Sequence, residues 1–148
     1  METTSQDIPS WIEVAAGLVF RGNQLLITRR PEGAHLAGLW EFPGGKRELG
    51  ETWEHCLVRE LREELGVEVE VGRVFEEIRH VYPGKAVWLR FFVCRVLRGE
   101  PAPIGCAGLT WVRKDQLRSF PFPAADAVLL SKLETERDDS GVWSGAFP

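Results

Sequence analysis

The 148-residue chain is short of cysteine, of net basic charge and of long apolar runs, and each shortage removes a class of protein. Cys56, Cys94 and Cys106 are odd in number and lack CxxC spacing, which argues against a disulfide framework or zinc site and for reduced thiols. Lysine and arginine total 18 against 22 acids, a formal net charge of −4. Nucleic-acid phosphates are held by clustered Lys and Arg, so a stable nucleic acid complex is not expected. An acidic chain can still handle a small polyphosphate if metal ions bridge the two. No stretch approaches a membrane span. The opening METTSQDIPS lacks the basic start and apolar core of a signal peptide, so a cytoplasmic location is expected. Repeats and linkers are missing too, and the length suits one domain with a sizeable core.

What the chain does have is patterned. Residues 1–10 are polar and expected to fray. Glu13–Phe20 (EVAAGLVF) reads as a buried strand, RGN as a turn and Gln24–Arg29 as its hairpin partner. Pro31 to Gly38 is a polar loop, and Trp40–Phe42 is extended because Pro43 disfavours helix before it. Val67, Val69 and Val71 alternate with Glu68 and Glu70 as a half-buried strand. This strand continues over Val74–Val81 to a turn at Tyr82-Pro83-Gly84. Ala86–Leu97 is the most apolar strand and belongs inside a sheet. After a Pro- and Gly-rich loop, Leu109–Val112 is a short strand. Ala124–Glu134 is a closing helix with Val128, Leu129 and Leu133 inward. Residues 138–148 lack periodicity and read as a loose tail, leaving 11–137 as the domain. Strands interleaved with two helices give an α+β or α/β fold with a mixed sheet.

The densest signal is GGKRELGETWEHCLVRELREELGV, from Gly44 to Val67. On a helix over Glu51–Leu65, Leu57, Leu61 and Leu65 fall at four-residue intervals and form an apolar stripe. Glu60, Glu63 and Glu64 neighbour one another beside it, while Arg59 and Arg62 point elsewhere. Like charges at this spacing cost a few tenths of a kcal/mol per pair. Either the arginines and water offset that, or a hard divalent cation does, since Mg²⁺ takes oxygen ligands. Gly66 is a plausible helix stop.

The spacing from Gly45 through Glu51, Arg59, Glu60, Leu61, Glu63 and Glu64 to Leu65, Gly66 and Val67 matches the Nudix box at every defining position, so the segment resembles a Nudix hydrolase. Ile27 to Lys46 (ITRRPEGAHLAGLWEFPGGK) is similar to the MutT branch, which cleans nucleoside triphosphate pools. The resemblance implies an α/β/α sandwich around a mixed β-sheet, monomeric or homodimeric. It implies hydrolysis of a modified or oxidised nucleoside triphosphate to monophosphate and pyrophosphate with Mg²⁺, for which Mn²⁺ can substitute. Within it Glu60 and Glu64 are the main metal ligands, with the Gly45 carbonyl. Glu63 is a further ligand or water-orienting base, Glu51 joins through water, and Arg59 braces the acids. Arg30 and Arg29, with Lys46, would meet the phosphates, guanidinium being the preferred fork for phosphate oxygens. Phe42 either stacks on the base or is a core aromatic.

Two positions depart from that pattern. In Phe122–Asp126 (FPAAD) the MutT branch has asparagine where Asp126 stands, and its amide reads oxidised guanine. A carboxylate offers acceptors only and suits the exocyclic amine of cytosine; Asp126 is otherwise a residue of the helix N-terminus. The loop glutamate of many MutT relatives aligns with Gly105, so either the general base comes from the box or turnover is slow. The alternatives outside this branch are an ADP-ribose-type substrate or a non-catalytic nucleotide-binding module. An RNA-decapping role is disfavoured by the acidic charge.

Overall fold

The computed structural model describes residues 10–137, 141–145 and 147. In chain order the elements are β1 (Trp11–Arg21), β2 (Gln24–Arg29), β3 (Trp40–Glu41), β4 (Gly44–Lys46), α1 (Trp53–Leu65), β5 (Glu68–Tyr82), β6 (Lys85–Arg98), β7 (Gly108–Arg113) and α2 (Ala127–Thr135), with 3₁₀ turns at Lys114–Ser119, Ala124–Asp126 and Val142–Ser144.

The strands form one seven-stranded mixed sheet, ordered β3-β2-β1-β6-β5 with β4 on β1 and β7 on β2. β1 and β6 run parallel, and β5 folds antiparallel onto β6. Near-continuous apolar runs are what a strand covered on both faces requires, and the side chains divide accordingly. Ala16, Leu18 and Phe20 of β1, with Leu25, Ile27, Phe91 and Val93, pack under Leu129, Leu130 and Leu133 of α2. Ala15 and Val19, with Leu26, Phe92 and Cys94, pack under Cys56, Leu57, Leu61 and Leu65 of α1. This is an α/β/α sandwich around a mixed sheet.

Four sequence expectations are corrected. The box helix starts at Trp53, not Glu51, because Thr52 caps it, its side chain accepting from the His55 N–H at 3.0 Å. In the last helix a 3₁₀ turn takes Ala124–Asp126 and shifts the α-helical register, so Val128 is 68% exposed and Leu130 is buried in its place. Arg59 does not point away from the box acids, as described below. In the expected loose tail, residues 138–140, 146 and 148 lie outside the described residues, as do 1–9 of the frayed start. Val142 and Trp143, however, are buried, the Trp143 indole N–H donating to the Leu133 carbonyl at 2.8 Å.

One irregularity positions the site. β1 and β2 pair only at Phe20–Leu25 and Arg21–Gln24. Past that point residues 40–46 insert between them: Trp40 and Glu41 pair with β2, and Gly44, Gly45 and Lys46 pair with β1. The Gly17 N–H donates to the Pro43 carbonyl at 2.7 Å, stitching the kink.

Candidate active site

The insertion brings Gly44 and Gly45 against both β1 and the box helix. A Cβ on Gly44 would overlap the β1 backbone at Ala15, and one on Gly45 would overlap the Glu60 carboxylate. At Gly44 the clash is with backbone and leaves room only for glycine, whereas at Gly45 a side chain would have to displace the Glu60 carboxylate. At the other end of α1, Gly66 adopts the left-handed φ of 72° and its N–H donates to the Arg62 carbonyl at 3.0 Å, a glycine helix stop. The loop after β6 finishes that end, Ala102 N–H donating to the Leu65 carbonyl at 3.0 Å, and Ile104 and Gly105 N–H donating to the Glu64 carbonyl at 3.2 and 3.0 Å.

Arg59 lies across the acidic face of α1. It grips Glu51 with two bonds, Nε to Oε2 at 2.5 Å and Nη2 to Oε1 at 2.9 Å. Nη1 reaches Glu60 at 3.0 Å and Glu63 at 3.3 Å, and Nη2 reaches the Lys46 carbonyl at 3.2 Å. The hydrogen bonds from Arg59 hold the Glu51 carboxyl down to about 2. Arg59 is therefore the brace of the acidic cluster. Arg62 instead pairs with Glu68 at the surface.

Glu64 is different. Burial, with the neighbouring Glu41 and Glu60 charges, pushes its carboxyl up to about 8, against the pull of the Gly44 backbone and Arg30. Its Oε1 is buried with no hydrogen-bond partner. Burial also raises the Glu60 carboxyl, against Arg59. Buried carboxylates with an orphan oxygen are what a hard cation would neutralise. The donors available, from Glu60, Glu63, Glu64 and the Gly45 carbonyl, are all oxygens and fit Mg²⁺ or Mn²⁺. Among the described residues no three or more acid, His or Cys side chains make up a metal-holding group. Mg²⁺ does not need three, since it usually keeps several waters and takes one or two carboxylates plus substrate phosphate.

Glu64 opens into a cavity of about 460 Å³, which Gly44, Gly45, Lys46, Arg30, Glu41, Phe42, Leu89, Phe91 and Asp126 also line. The volume suits a small ligand. Arg30 donates from Nη1 to Glu41 at 2.8 Å and from Nε to the His35 carbonyl at 2.5 Å. Phe42 is at once core and cavity wall, stacked on Phe122 with centroids 5.3 Å apart and edge-on to Phe91 at 6.1 Å. Asp126 is 9% exposed, and burial, then the Glu41 charge, pushes its carboxyl up to about 6.

The structure thus gathers Gly45, Lys46, Glu64, Arg30, Phe42 and Asp126 around one cavity, with Glu60 against Gly45 and Glu63 on the Arg59 brace. Arg29 is exposed and does not line the cavity. The sequence reading missed Glu41 and the walls Leu36, Leu89, Phe91 and Tyr82. No periodic signal marked Glu41, because its strand has only two residues. Gly105 packs on Glu64, where a Cβ would meet its Cγ at 3.2 Å. Glu100 pairs with Arg21 rather than turning to the site.

A family profile described as NUDIX domain matches residues 15–132. The chain belongs to the Nudix family. It is 36% identical over 125 residues to the 8-oxo-dGTP diphosphatase of Escherichia coli (strain K12), covering 83% of this chain and 96% of that one. It is 35% identical over 119 residues to the CTP pyrophosphohydrolase of the same organism, covering 80% and 88%. Among solved structures it is similar to MutT from Aliivibrio salmonicida and Vibrio cholerae, with a TM-score of 0.70, 31% identity and coverage of 84% and 98%. Among the described residues of this Nudix protein no helix is long and apolar enough to cross a membrane.

Proposed function

We propose that this Nudix protein hydrolyses a nucleoside triphosphate to the monophosphate and pyrophosphate, with a divalent cation, Mg²⁺ or Mn²⁺, held by Glu60, Glu64, Glu63 and the Gly45 carbonyl. The observation that carries the reading is that one cavity has the Glu64 carboxylate, with its unpartnered Oε1, in its wall together with an apolar, aromatic-lined surface. When bound, the cation supplies charge neutralisation between carboxylates and phosphates and lowers the pKa of bound water. The chain's own residues do the rest. Arg30 and Lys46 bind phosphate oxygens, Arg30 exchanging its Glu41 partner for substrate. Arg59 holds Glu60 and Glu63 in place, and Glu63, the most exposed acid of the set, orients water and takes its proton. Phe42 and Phe91 flank the base. With Gly105 where relatives carry an acid, proton removal falls to the box.

The polar edge of the base pocket supplies two carboxylates, Asp126 and Glu41, and these accept hydrogen bonds without donating any when ionised. That favours a base with an exocyclic amine, oxidised guanine or a modified cytosine, over thymine. The test is a panel of triphosphates with Mg²⁺. Hydrolysis of 8-oxo-dGTP or of a 5-substituted dCTP, with dTTP at least about tenfold poorer in kcat/KM, is the expected result. If both are untouched while ADP-ribose is cleaved, the assignment is wrong.

A further inference from the structure

A second recess of about 580 Å³ adjoins the substrate cavity, and Leu36, Tyr82, Pro123 and Ala125 line both. Its remaining walls are His35, Leu39, Ile78, His80, Phe122 and Ala124. No Asp, Glu, Lys or Arg is among them, and the lining is mostly apolar. The aromatic content is ordered: the ring of Tyr82, which lines both spaces, lies 4.3 Å from that of His80, and Phe122 is stacked on Phe42 of the first cavity. Leu36, on the boundary, is the one non-glycine among the described residues with a positive φ, 59°. A branched side chain tolerates that conformation badly, and such strain tends to persist at ligand sites. The loop is fixed there by the Leu39 N–H donating to the Leu36 carbonyl at 3.2 Å, and by Arg30 on the His35 carbonyl. The arginine assigned to phosphate thereby also supports the boundary between the two spaces.

We propose that this recess receives an apolar or aromatic substituent carried on the nucleobase, so that the substrate class includes bases too large for the first cavity alone. The proposal rests on the nucleotide reading above. The polyphosphate stays with Lys46, Arg30 and the box acids, the base lies against Phe42, and the substituent passes Leu36 and Tyr82 to pack on Phe122, Ile78 and the His80 ring. Aromatic rings pack there without needing a charged partner.

The experiment compares dCTP and 8-oxo-dGTP with the same bases extended by a phenyl ring at cytosine C5 or guanine N2. Two variants of the recess accompany the wild type: Ala124→Trp, which fills a wall that does not line the first cavity, and His80→Ala, which removes a packing ring. The expected result is that wild type turns over an extended triphosphate at least as well as its parent. Ala124→Trp should then lower kcat/KM for the extended one by about tenfold or more while leaving the parent within about twofold, with His80→Ala a weaker version of the same. Rejection of the extended substrates by wild type that still hydrolyses the parents overturns the inference and leaves the nucleotide reading standing. Equal losses on parent and extended substrates in both variants overturn it as well. If no triphosphate, parent or extended, is hydrolysed, the nucleotide reading itself falls and takes this inference with it.

Discussion

At the scale of single residues, Glu64 and Arg59 carry opposite electrostatic burdens. Glu64, with its carboxyl raised to about 8 from 4.5, keeps a proton in the folded chain that the unfolded chain has released. Its contribution to stability is therefore greatest below about pH 4.5 and is lost as pH rises towards 8. Glu64→Gln removes that dependence. In EDTA, the melting temperature of wild type should fall between pH 5 and 8 by a few degrees more than that of the variant. Added Mg²⁺ at pH 8 should restore wild type and leave the variant unmoved, and hydrolysis by the variant should drop on the order of 100-fold or more. An active Glu64→Gln would remove the cation assignment. Arg59 neutralises three acids through a planar fork. Arg59→Lys cannot span Glu51, Glu60 and Glu63 at once, since an ammonium lacks the two-pronged geometry. A loss of about 1–3 kcal/mol in urea unfolding is expected, and activity should fall with it. Full activity with lysine would reduce Arg59 to a surface residue.

The elements show which parts of this design can be read from a string of letters. The leucine ridge of α1 was legible because Leu57, Leu61 and Leu65 repeat with the helical period, and all three are fully buried. β1, β2 and β6 were legible because each carries a near-continuous apolar run. The start of α1 was misjudged by two residues, because Glu51 is as good a helix former as its neighbours and only the Thr52 cap decides the matter. The inward face of α2 was misjudged at Val128, because a 3₁₀ turn ahead of a helix changes its phase without changing its composition. Glu41 stayed hidden because a two-residue strand has no period. The end of α1 offers a prediction at this scale. Gly66→Ala must hold a Cβ at φ 72°, with the Ile104 Cδ1 only 3.0 Å away. It should cost about 1–2 kcal/mol from the left-handed backbone alone, seen as a lower urea midpoint at unchanged m-value. Because the site acids lie upstream of that stop, kcat at 25 °C should change by less than about twofold. A large fall in kcat with an unchanged midpoint would show that the helix stop tunes the site rather than holding the helix.

Across the whole molecule, the α2 face of the sheet is closed by more than α2. A helix of nine residues is short to cover β1, β2 and β6, and the chain returns after it to finish the layer. Trp143 is 2% exposed, meets Phe20 edge-on at 5.2 Å and ties back to the end of α2 through its indole N–H. No periodic signal announces this, because a single 3₁₀ turn with one large aromatic has no pattern to repeat. The consequence is a separation between stability and chemistry. Trp143 does not line the substrate cavity, yet removing it opens a large void beside Phe20 and leaves the Leu133 carbonyl without that partner. Trp143→Ala should cost about 3–5 kcal/mol, enough to lower the melting temperature by roughly 10 °C or more in a domain of this size. Well below that temperature, kcat and KM for the preferred triphosphate should stay within about twofold of wild type. Trp143→Phe, which keeps an aromatic ring but loses the indole donor, should recover most of the loss. If Trp143→Ala instead melts like wild type, the returning segment does not seal the core. The burial of one face of the sheet would then rest on Leu129, Leu130 and Leu133 of α2 with Leu117, Phe120 and Phe122.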